Sequence, residues 1–243
     1  MTDTVSMAPE KTQDVTEALR ELLCAQGVSC FGFADLRRLP SDKRGGYPFG
    51  VAFGLTWDTD VLLGIEAGPT PAYHDNYNSL NARLDELSLL VEGYLESRGF
   101  KAYANTRERV GMGGDEYVTR LPHKTVATLA GLGWIGKSAL LITEEFGSGL
   151  RISSVLTNAP LTAGTPIIEG RCGDCDVCRD LCPGGAIAGR PWSPALERSE
   201  FLDAQACART AQRRSLATIG QKVTLCGLCV LSCPWTQRYL TSK

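Results

Sequence analysis

The chain has 243 residues, 43% of them hydrophobic, and a formal net charge of −2, the make-up of an ordinary soluble protein of one large or two modest domains. That balance excludes a surface that binds polyanions throughout, and no stretch approaches the roughly eighteen apolar residues of a membrane span. The first residues, MTDTVSMAPEKTQDVTEALREL, lack a positive segment followed by an apolar core, so a cytoplasmic address is expected.

In chain order, Val15, Leu19, Leu22 and Leu23 predict an amphipathic helix over residues 12–27, ending at Gly27. Val28–Ala34 and Pro48–Trp57 read as strands, separated by a loop at Ser41–Gly46. Tyr77–Arg98 is the clearest helix: Leu80, Leu84, Leu87, Val91, Tyr94 and Leu95 recur at steps of three and four, and Gly99 closes it. Phe100–Ala104 reads as a strand, Asn105–Leu121 as a long glycine-containing loop, and His123–Ala130 as a short helix. Ala139–Thr143 and Ile152–Thr157 read as strands, and Ala159–Ile168 as a linker. The pattern predicts an α/β domain over 1–165, followed by a cysteine-governed module over 166–243.

Eight of the ten cysteines carry the strongest signal. Cys172-x2-Cys175-x2-Cys178-x3-Cys182-Pro183 forms one run; Cys207 and Cys226-x2-Cys229-x3-Cys233-Pro234 form the second. In this spacing the short C-x2-C turns bring successive thiolates to neighbouring corners of a [4Fe–4S] cube, and the fourth cysteine serves the other cube. The expected ligand sets are Cys172, Cys175, Cys178 and Cys233 for the first cluster, and Cys182, Cys207, Cys226 and Cys229 for the second. Paired C-x2-C turns also make zinc sites, although zinc does not require a third cysteine and a closing Cys-Pro in each run. Disulfides are the remaining alternative. Cys24 and Cys30 stand apart and are expected in the core. Beyond the first run, Arg190, Arg198, Arg209, Arg213, Arg214, Lys222, Arg238 and Lys243 outnumber the acids, a face for an acidic redox partner or nucleic acid, or a solvated one.

Gly131-Leu132-Gly133-Trp134-Ile135-Gly136-Lys137-Ser138 fits both G-x-G-x-x-G and the P-loop form G-x4-G-K-S. Both need a strand before the glycines and a helix after them, whereas here the order reads as helix, then strand. The alternatives are a tight turn that uses glycine for positive φ or close packing, and a bare backbone against a large flat cofactor.

The segment Ala130–Lys137, the cysteine runs, Gly184-Gly185-Ala186-Ile187 and Cys233-Pro234-Trp235 together resemble the epoxyqueuosine reductases, a family related to corrinoid-dependent reductive dehalogenases. The resemblance implies a nitroreductase-like α/β domain, a ferredoxin-like module with two [4Fe–4S] clusters, and a cobalamin between them. It implies an iron–sulfur oxidoreductase passing single electrons to that corrinoid, fed by an external low-potential donor such as a ferredoxin or flavodoxin. It also nominates His123, Lys124, Gly131, Gly133, Trp134, Gly136 and Lys137 as cofactor contacts. The family carries a helical-repeat extension that grips tRNA, whereas this sequence stops at Lys243, so a small-molecule or corrinoid-linked substrate is expected rather than tRNA. The family's acidic residue falls near Asn105, leaving Asp115, Glu116, Tyr117 or His123 as candidate proton donors. The rival reading is a ferredoxin-type electron carrier with no corrinoid.

Overall fold

A computed structural model describes residues 9–110 and 121–242. Four strands, β1 (Cys30–Asp35), β2 (Phe49–Thr56), β3 (Ala102–Ala104) and β6 (Leu150–Thr157), form one antiparallel sheet in the order β1-β2-β6-β3. Two more, β4 (Trp134–Ile135) and β5 (Leu141–Ile142), form a separate short hairpin.

Helices α1 (Pro9–Ala25) and α3 (Pro71–Ser97) cover one face of the sheet. On α1, Val15, Leu19 and Leu23 are buried four residues apart, the stripe that packs an amphipathic helix on a sheet. Cys24 follows them on the outer side and is exposed, which corrects the expectation of a core cysteine; Cys30 is half-buried, and burial pushes its thiol up to about 11. On α3 the buried stripe is Leu84, Leu87, Val91 and Leu95. This helix starts before Tyr77 because Thr70 caps it, its Oγ1 accepting from the Tyr73 N–H at 3.1 Å, and Pro71 tolerates the first position, where no N–H is needed. The two stripes close over Phe33, Val51, Phe53 and Val155 of the sheet.

The other face carries α5 (His123–Leu129) and the cysteine segment. Leu36, Ala52, Val126 and Leu150 share one apolar cluster with Leu225, Val230, Leu231, Tyr239 and Leu240, so the segment is packed on the sheet rather than appended to it. Two short helices, α2 (Thr59–Leu63) and α4 (Arg107–Val110), lie in connections; α4 occupies part of the stretch expected as a loop. Asp115, Glu116 and Tyr117 lie outside the described residues.

The segment 159–168 has no helix or strand, yet it is a pinned strap. Thr162 N–H donates to Thr16 Oγ1, Gly164 N–H to the Phe33 carbonyl, and Ile167 N–H to the Thr128 carbonyl, at 2.8–2.9 Å. Its own Ala159 and Leu161 are buried. Among the described residues, no helix is long and apolar enough to cross a membrane.

Candidate metal centre

Both cysteine runs use the same local device. Cys178 lies in the four-residue helix α6 (Val177–Asp180), and Cys229 in its counterpart α8 (Leu228–Leu231), which begins after Gly227 at φ +83°. The second run ends at α9 (Pro234–Thr241), whose first residue is a proline and whose N-cap is Cys233. The Trp235 and Thr236 backbone N–H groups bond to the Cys233 sulfur, which favours its thiolate, although burial outweighs them and leaves the thiol raised. Cys207 stands on α7 (Ala204–Ile219), capped by Asp203 and stopped by Gly220 at φ +69°.

The fold brings the eight cysteines into two adjoining groups. Cys172, Cys175, Cys178 and Cys233 line one cavity together with Lys137, Ser138 and Trp235, and Cys229 of the second run reaches the same wall. Burial pushes the Cys178 thiol up to about 11, with Cys172, Cys233 and Cys175 adding to the effect. Burial likewise raises Cys229, and its strongest thiol neighbours are Cys207 and Cys226, with Cys178 and Cys182 behind them. Cys207 in turn feels Cys182 and Cys226. Cys233 thus stands beside the first run's cysteines, and Cys182 is among the thiol neighbours of Cys207 and Cys229. Thiolate is the form that ligates a metal, so binding at these cysteines releases protons and metal affinity rises with pH.

The chemistry of these donors fits iron–sulfur ligation. A zinc ion needs its sulfurs about 2.3 Å from one point, and no three His, Cys, Asp or Glu side chains among the described residues meet at such a point. A four-iron cube takes each thiolate at its own corner and so needs a wider ring. One further group lacks a partner: Trp134, fully buried against Cys172 and Cys233, has an indole N–H with no hydrogen-bond acceptor.

The glycine turn has a different purpose from the cradle expected of it. A Cβ on Gly133 would stand 2.1 Å from the Ile142 carbonyl oxygen, and one on Gly131 2.6 Å from that of Thr165. A Cβ on Gly136 would meet Ile142 Cδ1 at 2.3 Å and Cys172 Sγ at 3.5 Å. These glycines let β5, the strap and the first cysteine run close on one another, so none leaves bare backbone for a corrin ring. Trp134 packs edge-on against Trp235, ring centroids 4.9 Å apart, and offers no face to a cofactor. Lys137 Nζ donates to Asp176 Oδ1 at 2.9 Å and Lys124 Nζ to the Ala139 carbonyl at 2.8 Å. Burial pulls Lys124 down to about 8, and the carbonyl it holds belongs to a residue at φ +62°. The P-loop reading fails on order: Gly136 and Lys137 join β4 to β5, with no helix after them.

A polar group of which the sequence reading named only His123 and Asn105 lies along β6. Strand β3 pairs with β6 only from Val155 to Thr157, which leaves the Leu150–Ser154 edge uncovered by it. There, Ser154 Oγ accepts from Asn105 Nδ2 at 3.0 Å and shares a hydrogen bond with His123 Nδ1 at 2.9 Å. Burial, and next the Arg151 charge, hold His123 down at about 4, so its imidazole is neutral at ordinary pH. Arg151 donates through Nε and Nη2 to Asn81 Oδ1 at 3.1 and 2.9 Å, and its guanidinium lies 4.7 Å from the Tyr77 ring centroid. Asn81 is buried and its Nδ2 finds no acceptor. Tyr73 links this group to the second cysteine set: burial raises its phenol, Cys229 raises it further, and Arg151 opposes them. The available sequence signal was Asn81, a polar residue on the apolar stripe of α3.

Residues 171–236 match the 4Fe-4S double cluster binding domain family. An epoxyqueuosine reductase of Salmonella typhimurium is 28% identical over 163 residues, which are 67% of this chain and 39% of that protein. The chain is similar to the epoxyqueuosine reductases over this stretch. It spans about two fifths of the length of that curated relative. A solved epoxyqueuosine reductase with an epoxyqueuosine-modified tRNA-Tyr stem loop superposes with a TM-score of 0.61 at 23% identity, covering 93% of this chain and 66% of that one. A reductive dehalogenase, described as suggesting a mechanism for B12-dependent dehalogenation, superposes with a TM-score of 0.72 at 15% identity, covering 97% and 33%. At these identities the structures establish a shared mixed α/β fold.

Proposed function

We propose that this chain is an iron–sulfur reductase that takes single electrons from an external low-potential donor and delivers them to an acceptor at the β6 edge. The carrying observation is the pair of interleaved cysteine groups, within a segment that matches a double-cluster family. Cys172, Cys175, Cys178 and Cys233 would hold one [4Fe–4S] cluster, and Cys182, Cys207, Cys226 and Cys229 the other. The clusters supply one-electron chemistry when bound. The chain's own residues half-bury most of these cysteines and set the order of the groups. Tyr73 lies within electrostatic reach of Cys229 and Cys226 of the second set and of Arg151 and Tyr77. In this reading residues 1–165 are the nitroreductase-like part and 166–243 the ferredoxin-like part, and the need for reduced thiols supports a cytoplasmic address.

A small acceptor suits the β6 edge, where Asn81 and Asn105 are buried side chains rather than an exposed basic surface. Asn105 carries no acidic proton, and His123, neutral and bonded to Ser154, is the titratable group nearest to Asn105 in that network. The dehalogenase likeness supports a corrinoid acceptor, but the turn residues nominated for it are taken up by packing and do not fit that role. That same packing favours the second reading, an electron carrier with no corrinoid.

Anaerobic purification followed by iron, sulfide and cobalt analysis and EPR tests both. About eight irons per chain and two cluster signals are expected for two four-iron clusters. Added cobalamin whose spectrum changes on binding supports the corrinoid enzyme. Full iron with an unperturbed cobalamin spectrum leaves the carrier, and iron-free protein overturns both readings.

A further inference from the structure

We infer that Lys137 and Trp134 raise the reduction potential of the cluster held by Cys172, Cys175, Cys178 and Cys233, an inference that rests on the two-cluster reading above. The lysine of the P-loop-like motif thus serves an iron–sulfur cluster in place of a phosphate.

The Lys137 side chain is 6% exposed and forms part of the wall around those four cysteines. It is planted on a closed turn, with Gly136 N–H donating to the Leu140 carbonyl at 2.8 Å. The neighbouring residue, Gly136, is packed close to the Cys172 sulfur. Its ammonium is fixed by Asp176, which lies between Cys175 and Cys178 and whose second oxygen accepts from Arg179 Nη1 at 2.6 Å. Reduction adds one electron and no proton, so the cluster and its four thiolates become more negative by one charge. A buried, immobile ammonium nearby favours that state, and low local dielectric and poor screening enlarge the effect. Asp176 opposes it with its own charge while holding the ammonium in place.

Trp134 acts in the same direction by hydrogen bonding. Its N–H has no protein acceptor, although it is buried against Cys172 and Cys233. No cysteine sulfur accepts from it among the described residues, so an inorganic sulfide of the bound cluster is the acceptor assigned to it. A donor to sulfur bonds more strongly as the sulfur gains charge, and such bonds are among the factors that set cluster potentials.

The test is an EPR-monitored anaerobic redox titration of the full chain carrying its iron and sulfide, with iron counted first. At a fixed reductant poise, Lys137→Met should lower the reduced-to-oxidised ratio of one cluster about tenfold, equivalent to about 59 mV for one electron. The other cluster's midpoint should hold. Lys137→Arg should stay near the wild type. Asp176→Asn should raise the same ratio and Trp134→Phe lower it, each about threefold, since one removes an opposing charge and the other a hydrogen bond. Iron-replete Lys137→Met with both midpoints unchanged overturns the inference, as does a shift of the same sign in Asp176→Asn. Should Lys137→Met fail to load iron, Asp176→Asn and Trp134→Phe decide by the opposite signs of their shifts. Wild-type protein without iron overturns the cluster reading itself, and iron analysis reveals that before any titration.

Discussion

The α1–α3 face of the sheet and the segment beyond Glu169 are held together in different ways. On the first, Leu19, Leu23, Val51, Phe53, Leu87, Val91 and Leu95 are all 0% exposed, and burial of their apolar surface organises helices of 17 and 27 residues. On the second, only Ala186 and Ile187 are buried between Arg171 and Glu200, and α6 and α8 are single turns of four residues. A helix that short is not stable on propensity. In the reading above, ligation by the cysteines supports these turns in addition to the packing of Val230 and Leu231, so the first region folds by hydrophobic burial alone and the second by burial and ligation together.

The largest effects should come from breaking ligation. Cys182→Ser should cost about half the iron and remove the signal of the second cluster, although Cys182 belongs to the first run. Cys175→Ser should remove the other signal, with the iron count and EPR of the two variants read side by side. If Cys182→Ser and Cys175→Ser deplete the same signal, the crossover is wrong. Next comes burial: Leu87→Ala should destabilise the fold by about 2–5 kcal/mol in urea denaturation while iron per chain stays constant. Loss of iron in that variant would mean that the two regions do not stand on separate supports.

Gly133→Ala should cost about 1–3 kcal/mol with no cofactor added, because its Cβ would overlap the Ile142 carbonyl. A variant as stable as the wild type would return this turn to the role of an open cradle. The smallest effect concerns His123. Its imidazole resonances in NMR should stay those of the neutral form down to about pH 5. The sign follows from its lowered pKa: the unfolded chain takes up the proton first, so stability is complete above the model-peptide value of 6.5 and declines as pH falls from there toward about 4. Titration of His123 near 6.5 would show that the β6 edge is wet.

The sequence was legible where one period or one spacing dominates. Leu84, Leu87, Val91 and Leu95 announce α3, and the C-x2-C runs announce the segment that matches a double-cluster family. Helix α7 was missed because Ala, Arg, Gln and Thr give it little apolar stripe, although Asp203 and Gly220 mark its two ends. Gly131, Gly133 and Gly136 were legible as necessary glycines but not as packing glycines, since the atoms that crowd them belong to Thr165 and Ile142. The β6 edge was beyond reach for a related reason. Asn81, Asn105, His123 and Arg151 meet only once α3, α5 and β6 have folded together, and no periodicity links them.

The strap at 159–168 has a consequence for rates. Three of its backbone N–H groups are tied to α1, β1 and α5, and Gly164 lies so close to Ala130 that a Cβ there would stand 2.4 Å from its carbonyl oxygen. A chain fastened at those points cannot act as a swinging arm. On the function proposed above, electrons crossing from the cysteine groups toward β6 would travel a gap of fixed width, and their speed would be governed by tunnelling distance and driving force rather than by the frequency of a domain's motion.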